Sequence, residues 1–223
     1  DLFVRPNYLV SLHHGPVPCL SHAAERWRSH EEPLAASVGG LLHAVLDSLV
    51  DEYFPVLDRM AERADEIEER VVRQPDQRTP RDIVALKKDL LGLRRVLAPQ
   101  RDVLNQLLRG DLPVVDAALR PYLQDVYDHL LRLLDGVDIA RDLLAITLDA
   151  HLAATSNALN RVMKRLTALT VVLMVPSLIA AIYGMNFDYM PELHWPPGYF
   201  AALALMAATA AGLALLFRRH GWF

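Results

Sequence analysis

The chain has 223 residues, a formal net charge of −4 and one cysteine, Cys19. This charge balance leaves no basic stripe for nucleic acid, and a lone cysteine excludes an internal disulfide. The nine histidines form neither an HExxH motif nor a Cys/His cluster, which argues against a structural zinc site. Yet 52% of the residues are hydrophobic and the mean hydropathy is +0.16, so the composition predicts membrane segments.

The apolar excess is concentrated in two stretches near the end of the chain. Residues 166–183 and 199–217 contain no charged residue, and each approaches the roughly 20 residues with which a helix crosses a bilayer. The preceding residues alternate charged and apolar side chains, as soluble helices do. The sequence opens without an initiator methionine or a cleavable signal peptide, so we expect it to be the C-terminal part of a longer protein.

The first 33 residues predict a small β structure followed by a helix. Two runs of β-formers, residues 2–5 and 8–13, are separated by Pro6-Asn7 and predict a hairpin. We expect its other sheet partners upstream of Asp1, and a short helix over residues 23–30. Residues 1–33 are therefore interpreted as the remnant of an N-terminal αβ domain.

Residues 34–165 predict a cytoplasmic bundle of long helices, because apolar residues recur at steps of three and four along most of this region. An acidic face that follows the first apolar stripe is expected to be solvated or ion-paired, and attraction of cations is the alternative. The third helix is predicted to run on through the first apolar stretch, which gives it a length of roughly 95 Å at about 1.5 Å per residue. The predicted helices cover residues 34–73 with a kink at Pro55, residues 79–109 with a kink at Pro99 and a buried side that includes Val96, and residues 121–183.

The charges that flank the two apolar stretches predict the orientation of a transmembrane hairpin. Three basic residues precede the first stretch and three follow the second, whereas Asp188 and Glu192 are the only charged residues between them. By the positive-inside rule both termini face the cytoplasm. The predicted segments are transmembrane helix 1 at residues 166–183, an outer loop at 184–198, transmembrane helix 2 at 199–217 and a cytoplasmic basic tail at 218–223.

One face of the first apolar stretch carries small and polar residues. Lipid-facing surfaces favour Leu, Ile and Val, so this stripe suits either packing between helices or the wall of a pore. The periodicity does not choose between these two interpretations. The stripe repeats every seven residues and comprises Asn160, Met163, Thr167, Thr170, Met174, Ser177 and Ala181.

Several motifs of the chain resemble those of the CorA family of magnesium channels. The segment Tyr183-Gly184-Met185-Asn186-Phe187 follows the first apolar stretch, and residues 160–167 and 190–193 match the family in order and spacing. Weaker matches occur at residues 93–104, 125–129 and 6–16. A Gly-Met-Asn triplet alone would be weak, but the combination is highly specific and spans almost the whole chain.

This resemblance implies a mainly α protein that assembles as a funnel-shaped homopentamer in the inner or plasma membrane. Five copies of the long helix would line the pore and five copies of the second membrane helix would surround them, so the implied partners are other copies of the chain and membrane lipid. Leu166 is assigned to the pore by the resemblance alone. The implied pore-lining residues are Asn160, Met163, Leu166, Thr170, Met174 and Ser177.

The resemblance also implies a selectivity filter at Gly184, Met185 and Asn186. Mg²⁺ holds its water shell tightly and demands octahedral geometry, so removing the shell inside a membrane is costly. A ring of neutral Asn186 carboxamides can accept hydrogen bonds from the shell waters and still release the ion. The transported ion would be Mg²⁺, and Co²⁺ or Ni²⁺ are further candidates.

The resemblance further implies gating by Mg²⁺ bound between subunits on the cytoplasmic side. Asp125 and Asp149 match acidic positions associated with that regulation, and each is also interpretable as part of a solvated helix face. The acidic partner of Asp125 is expected upstream of Asp1. No nucleotide-binding loop, catalytic constellation or organic cofactor site is recognisable, so an enzyme is not expected. The alternatives are a zinc transporter of the related ZntB branch and a membrane-anchored helical scaffold that conducts nothing.

Overall fold

The computed structural model describes residues 1–29, 37–73, 78–110, 112–186, 190 and 195–222. It is mainly helical, with one short hairpin at its N-terminal end, as the sequence predicts. The chain divides into two compact units, residues 1–151 and 152–223, and the longest helix contributes to both. The elements are β1 (Leu2–Arg5), β2 (Tyr8–Ser11), α1 (Pro18–Arg28), α2 (Val38–Asp51), α3 (Phe54–Arg73), α4 (Thr79–Arg109), α5 (Arg120–Tyr183) and α6 (Gly198–Arg219).

The hairpin forms where the β-formers predict it, and β2 ends two residues earlier than expected. Its strands are antiparallel, with Leu2 opposite Ser11 and Arg5 opposite Tyr8. Backbone hydrogen bonds between Asp1 and Leu12, each 2.8 Å long, extend the ladder beyond the strands. The open end of the hairpin is therefore held closed by a further backbone pair.

Two helix predictions in the first part of the chain are wrong in detail. The helix predicted over residues 23–30 begins at Pro18 instead, because proline is favoured in the first turn, where its missing N–H leaves nothing unpaired. The single helix predicted to kink at Pro55 is two helices, α2 and α3. Pro55 lies in the first turn of α3 and so permits a break where the sequence predicts a kink. The predicted helical positions 30 and 34–36 lie outside the described residues.

The main apolar core of the first unit receives side chains from α2, α3, α4 and α5, and a smaller apolar cluster joins α1 to α2. Val96 is predicted on the buried side of α4 but is 48% exposed, whereas Leu93 and Leu97 on either side of it are buried. The buried face of α4 is therefore narrower than the sequence predicts. Fully buried large side chains include Ile83, Leu86, Leu90, Leu97, Leu104, Leu119, Leu123, Leu130, Leu133 and Leu144.

Polar contacts fix α4 against its neighbours at the edge of this core. Gln100 Nε2 donates to the Tyr53 hydroxyl at 2.8 Å, which ties α4 to the residue just before α3. Arg94 pairs with Asp138 of α5 at 3.1 Å, and Arg141 reaches the same carboxylate at 3.0 Å. The contacts of Gln100 and Arg94 join α4 to neighbouring parts of the chain, whereas Arg141 and Asp138 both belong to α5.

A glycine permits one close approach at the start of α2. A Cβ at Gly39 would lie 2.8 Å from the Val114 carbonyl oxygen and 2.9 Å from Leu119 Cδ2. Real side-chain carbons do not come this close to backbone atoms, so the loop before α5 can pack on α2 only if this residue has no side chain. The neighbouring Ser37 caps the helix, since its hydroxyl accepts from Gly40 N at 2.9 Å.

Among the described residues, two helices are long and apolar enough to span a membrane, and their apolar segments lie in the second unit. Each has an 18-residue window of mean hydropathy 2.2, within α5 and within α6. At most 6% of either window is buried. A soluble protein would bury such helices in its core, so their exposure agrees with a bilayer environment.

Candidate ion pathway and metal site

The membrane part of α5 has two chemically different faces. Ala168 is fully buried, and Val171, Val175 and Ile179 at steps of three and four from it are half-buried. Thr170 lies two residues from Ala168, which is about 200° around the helix, and it is exposed. The apolar face is therefore partly buried, whereas the opposite face is exposed.

The sequence-predicted pore residues all lie on the exposed side of α5. Met163, Leu166 and Met174 are 58%, 56% and 61% exposed, and Asn160, Thr170 and Ser177 are exposed as well. We call these six residues the exposed stripe. Large apolar side chains flank it, so one helix alone does not define a polar path.

The two hydroxyl groups of the exposed stripe donate their protons inside α5. Thr170 Oγ1 donates to the Leu166 carbonyl at 2.9 Å, and Ser177 Oγ donates to the Leu173 carbonyl at 2.8 Å. A hydroxyl bonded to its own helix leaves its oxygen lone pairs available as acceptors. Each group is thus tolerated in an apolar layer and can also receive a hydrogen bond from water.

The Gly-Met-Asn segment directly follows the end of α5. Gly184 N donates to the Ala180 carbonyl at 2.9 Å and Met185 N donates to the Ile182 carbonyl at 3.2 Å, so the last turn tightens before the helix stops. Asn186 follows with an exposed side chain. The next motif residue, Phe187, and the predicted outer-loop charges Asp188 and Glu192 lie outside the described residues.

A second group of polar residues lies in the first unit, between α2 and α5. Ligand atoms of Asp47, Asp51 and His129 all lie within 4.8 Å of one another. His129 Nδ1 is 3.7 Å from an Asp51 oxygen, and His129 Nε2 is 3.7 Å from an oxygen of Asp125, one helical turn earlier. We call these four residues the Asp–His cluster.

The electrostatics of the Asp–His cluster favour an added positive charge. Burial raises the pKa of Asp51, and the nearby carboxylates of Asp47 and Asp125 raise it further, while His129 and Arg26 act in the opposite direction. Arg26 pairs with Asp47 at 3.4 Å but both side chains keep some exposure, so the screening by solvent is considerable. The three carboxylates outnumber this one arginine.

The histidine of the cluster has a free coordination position. His129 Nδ1 is buried and has no hydrogen-bond partner among the described residues, because 3.7 Å to Asp51 is too long for one. The Phe54 ring packs edge-on against the imidazole at 5.9 Å and holds its orientation. An unpaired buried nitrogen beside carboxylates fits the donor set of a divalent cation.

The spacing of these atoms is informative about how an ion would bind. Mg²⁺ takes ligands at about 2.0–2.1 Å, so adjacent ligands of one ion lie about 3 Å apart. The 3.7 Å between Asp51 and His129 exceeds this distance, and the ligand atoms of the cluster as a whole lie within 4.8 Å. Opposite ligands of the same ion lie about 4.2 Å apart, so the 3.7 Å separation matches neither arrangement closely and an ion bound by both side chains would need a small side-chain shift.

The sequence identifies only part of this cluster. It predicts Asp125, which contacts His129. Asp149 is an exposed residue of α5, and its 24-residue separation from Asp125 corresponds to about 36 Å of helix, so the structure does not bring these two together. Sequence reasoning misses Asp47, Asp51 and His129, although the spacing of four residues between Asp125 and His129 is a visible signal.

Comparison with known proteins places the chain among cation transporters. The family model described as CorA-like Mg2+ transporter protein matches residues 1–219. YfjQ of Bacillus subtilis, a candidate metal ion transporter, is 36% identical over the whole chain, which covers 70% of that protein. The cobalt/magnesium transport protein CorA of Thermotoga maritima is 40% identical over 82% of the chain and 52% of its own length.

A solved structure shares the fold. The chain matches the CorA magnesium transporter of Methanocaldococcus jannaschii with a TM-score of 0.87 and 28% identity, over 100% of this chain and 71% of the other. The chain thus spans between half and about seven-tenths of the length of these relatives. With the match of the family model over residues 1–219, these similarities establish that the chain belongs to the CorA-like Mg²⁺ transporter family.

Proposed function

We propose that this chain supplies the membrane pathway and a cytoplasmic regulatory site of a passive Mg²⁺ channel that assembles as a homopentamer. The observation that carries the proposal is the two-sidedness of α5: a partly buried apolar face opposite the exposed stripe, with Gly-Met-Asn at the helix end. A non-conducting anchor would have no need of an asparagine, a threonine and a serine on the exposed face of its membrane helix. The inside-negative potential would drive the ion inward, and both termini would be cytoplasmic.

Several copies are required because α5 and α6 of one chain enclose no path. Five copies of the exposed stripe would place the Thr170 and Ser177 oxygens around an axis, with Met174 and Leu166 as apolar constrictions. The number five comes from the family resemblance. Sizing of the detergent-solubilised protein tests it, since a monomer or dimer is incompatible with a wall built of helices.

Selection is proposed to occur at Asn186. A neutral carboxamide oxygen accepts hydrogen bonds from the water shell of Mg²⁺, which leaves the shell in place and avoids the cost of dehydration. Because Asn carries no charge, the ion is held weakly enough to move on. Gly184 and Met185 would position this residue through the tightened last turn of α5.

Flux of Mg²⁺ into liposomes tests this role of Asn186. We expect uptake from the wild-type chain and its loss in Asn186→Ala. Asn157→Ala is the matched control, because Asn157 is an exposed asparagine of α5 that lies outside the exposed stripe, and it should retain the flux. Uptake of Zn²⁺ without Mg²⁺ would favour the zinc branch of the family. Unchanged flux in Asn186→Ala would refute selection by Asn186. If the wild-type chain conducts no divalent ion, the non-conducting helical scaffold is the function that fits.

Regulation is proposed to use the Asp–His cluster. A divalent cation bound beside Asp51 and His129 would offset the burial and the repulsion from neighbouring carboxylates that together raise the pKa of Asp51. Asp125 lies on α5, whereas Asp47 and Asp51 lie on α2, so an ion would bridge two helices. Asp149, far along α5, is proposed as a separate regulatory position on the family resemblance alone.

The regulatory role is tested by the dependence of flux on Mg²⁺ at the cytoplasmic side. Millimolar Mg²⁺ on the side of the chain termini is expected to lower the wild-type flux, and Asp51→Asn is expected to weaken this inhibition. Asp142→Asn removes an exposed carboxylate of α5 outside the cluster and should leave the inhibition intact. Full inhibition in Asp51→Asn, or an equal loss in both variants, would refute a role for the cluster without bearing on conduction itself.

A further inference from the structure

The second unit is unusual in its charges. Its described residues, 152–186, 190 and 195–222, contain no aspartate or glutamate. They do contain five lysines and arginines, all of them exposed, so no carboxylate of these residues can neutralise them. We call this set the basic rim; it comprises Arg161, Lys164, Arg165, Arg218 and Arg219.

All five residues of the basic rim belong to one side of the membrane. Three precede the apolar part of α5 and two end α6, so a chain that crosses twice returns to the side on which it started. This step rests on the proposed function, in which both helices span the bilayer. The rim then lies at the level of the lipid headgroups, just outside the hydrocarbon layer.

An aromatic pair, Phe217 and Trp222, forms at the end of α6, where Arg218 and Arg219 also lie. Gly221 has φ +69°, Gly221 N donates to the Arg218 carbonyl at 3.2 Å and Trp222 N donates to the Phe217 carbonyl at 2.9 Å. These two bonds and the left-handed glycine form a Schellman cap. The cap turns Trp222 back onto Phe217, with ring centroids 5.2 Å apart.

We infer that the basic rim and the capped Trp222 form a binding surface for anionic phospholipid headgroups. Guanidinium groups match phosphate oxygens in a two-pronged geometry, and a lysine adds a point charge. Tryptophan prefers the membrane interface, where its ring is in an apolar layer and its N–H can reach water or a headgroup. The Schellman cap holds the Trp222 ring against Phe217, the residue that directly precedes Arg218 and Arg219, so the ring and both guanidinium groups belong to the same helix end.

Quenching of Trp222 by brominated lipids tests this inference. The substitutions Trp27→Phe and Trp195→Phe leave Trp222 as the only tryptophan, and this single-tryptophan chain is placed in vesicles that contain brominated phosphatidylglycerol or brominated phosphatidylcholine. We expect a preference for the anionic lipid on the order of tenfold at Trp222, because Arg218 and Arg219, the basic residues of the same helix end, each contribute several-fold. Arg218→Gln with Arg219→Gln is expected to reduce it to about twofold, the share left to the other residues of the basic rim.

Removal of two charges elsewhere provides the matched control. Arg95→Gln with Arg109→Gln alters the net charge equally in the first unit and is expected to leave the lipid preference unchanged. Equal quenching by both lipids in the single-tryptophan chain, or an undiminished preference in Arg218→Gln with Arg219→Gln, would overturn the inference. The first of these results would indicate that carboxylates elsewhere neutralise the rim.

Mg²⁺ flux in the same vesicles separates this inference from the proposed function. Flux with no lipid preference overturns the lipid surface alone. A lipid preference that depends on Arg218 and Arg219, in a protein that conducts no ion, supports the lipid surface and refutes the channel. Trp222 that neither lipid quenches would show that the end of α6 is not at the membrane and would overturn the inference.

Discussion

Replacement of His129 by alanine should separate two kinds of divalent cation at the Asp–His cluster. Imidazole nitrogen is a good ligand for Co²⁺, whereas Mg²⁺ prefers oxygen and keeps much of its water. His129 Nδ1 is buried and has no hydrogen-bond partner among the described residues, so it is available to a metal. His129→Ala is therefore expected to weaken Co²⁺ binding much more than Mg²⁺ binding.

The magnitude follows from the linkage between binding and stability. A cation at 100 times its dissociation constant stabilises the folded state by about 2.7 kcal/mol, which for a chain of this size raises the melting temperature by roughly 5–10 °C. Loss of one ligand that weakens binding about 30-fold leaves about 0.9 kcal/mol, or roughly 2–3 °C. The Mg²⁺-induced shift should change little.

Thermal unfolding of the detergent-solubilised chain, followed by intrinsic fluorescence with and without each ion, measures these shifts. Asp142→Asn removes an exposed carboxylate of the same helix outside the cluster and should leave both shifts unchanged. An equal loss of the Co²⁺ and Mg²⁺ shifts in His129→Ala would refute direct ligation by the imidazole. Wild-type protein that neither ion stabilises would refute the metal site itself.

Three further predictions concern stability. Gly39→Ala should destabilise the protein by about 1–3 kcal/mol in chemical denaturation, because its Cβ would meet a backbone carbonyl oxygen at 2.8 Å. Gly92→Ala is the control and should stabilise the protein slightly, because its Cβ would have nothing within 4 Å. Equal effects of the two substitutions would contradict this. Because the pKa of Asp51 is raised in the folded protein, Asp51→Asn should increase the free energy of unfolding of the metal-free protein at pH 7. This gain should disappear as the pH falls through the raised pKa of the folded state toward the ordinary pKa of the unfolded state. A gain in the presence of chelator that does not change with pH would contradict this. A double-mutant cycle of Tyr53→Phe and Gln100→Ala should show a coupling of about 1 kcal/mol, and zero coupling would contradict the hydrogen bond.

Local signals in the sequence are sufficient to predict where the long helices lie. The proline after Thr79 and the glycine after Arg109 mark both ends of α4, and the apolar stretches mark the membrane segments. The sequence does not reveal the break between α2 and α3, because Pro55 is compatible with both a kink and a helix start. Only the packing of the two helices on the common core decides between these.

The sequence predicts most residues of one candidate site but few of the other. The exposed stripe follows from one helix period, so the amino-acid sequence alone identifies most of its residues. The Asp–His cluster joins Asp47 and Asp51 to a residue 78 positions after Asp51, and that proximity depends on how α2 packs against α5. No spacing rule within a single helix contains this information.

The direction in which the Thr170 and Ser177 hydroxyls donate has a consequence for the sign of the ion. Their protons are committed to carbonyls of α5, at 2.9 and 2.8 Å, so they offer an approaching solute oxygen lone pairs and no hydrogen. An anion, whose hydration depends on donated hydrogen bonds, would find none from these groups, whereas the outward-pointing hydrogens of a hydrated cation would find acceptors. In the proposed pore, a wall of such hydroxyls would discriminate against anions without a fixed charge that would trap a cation.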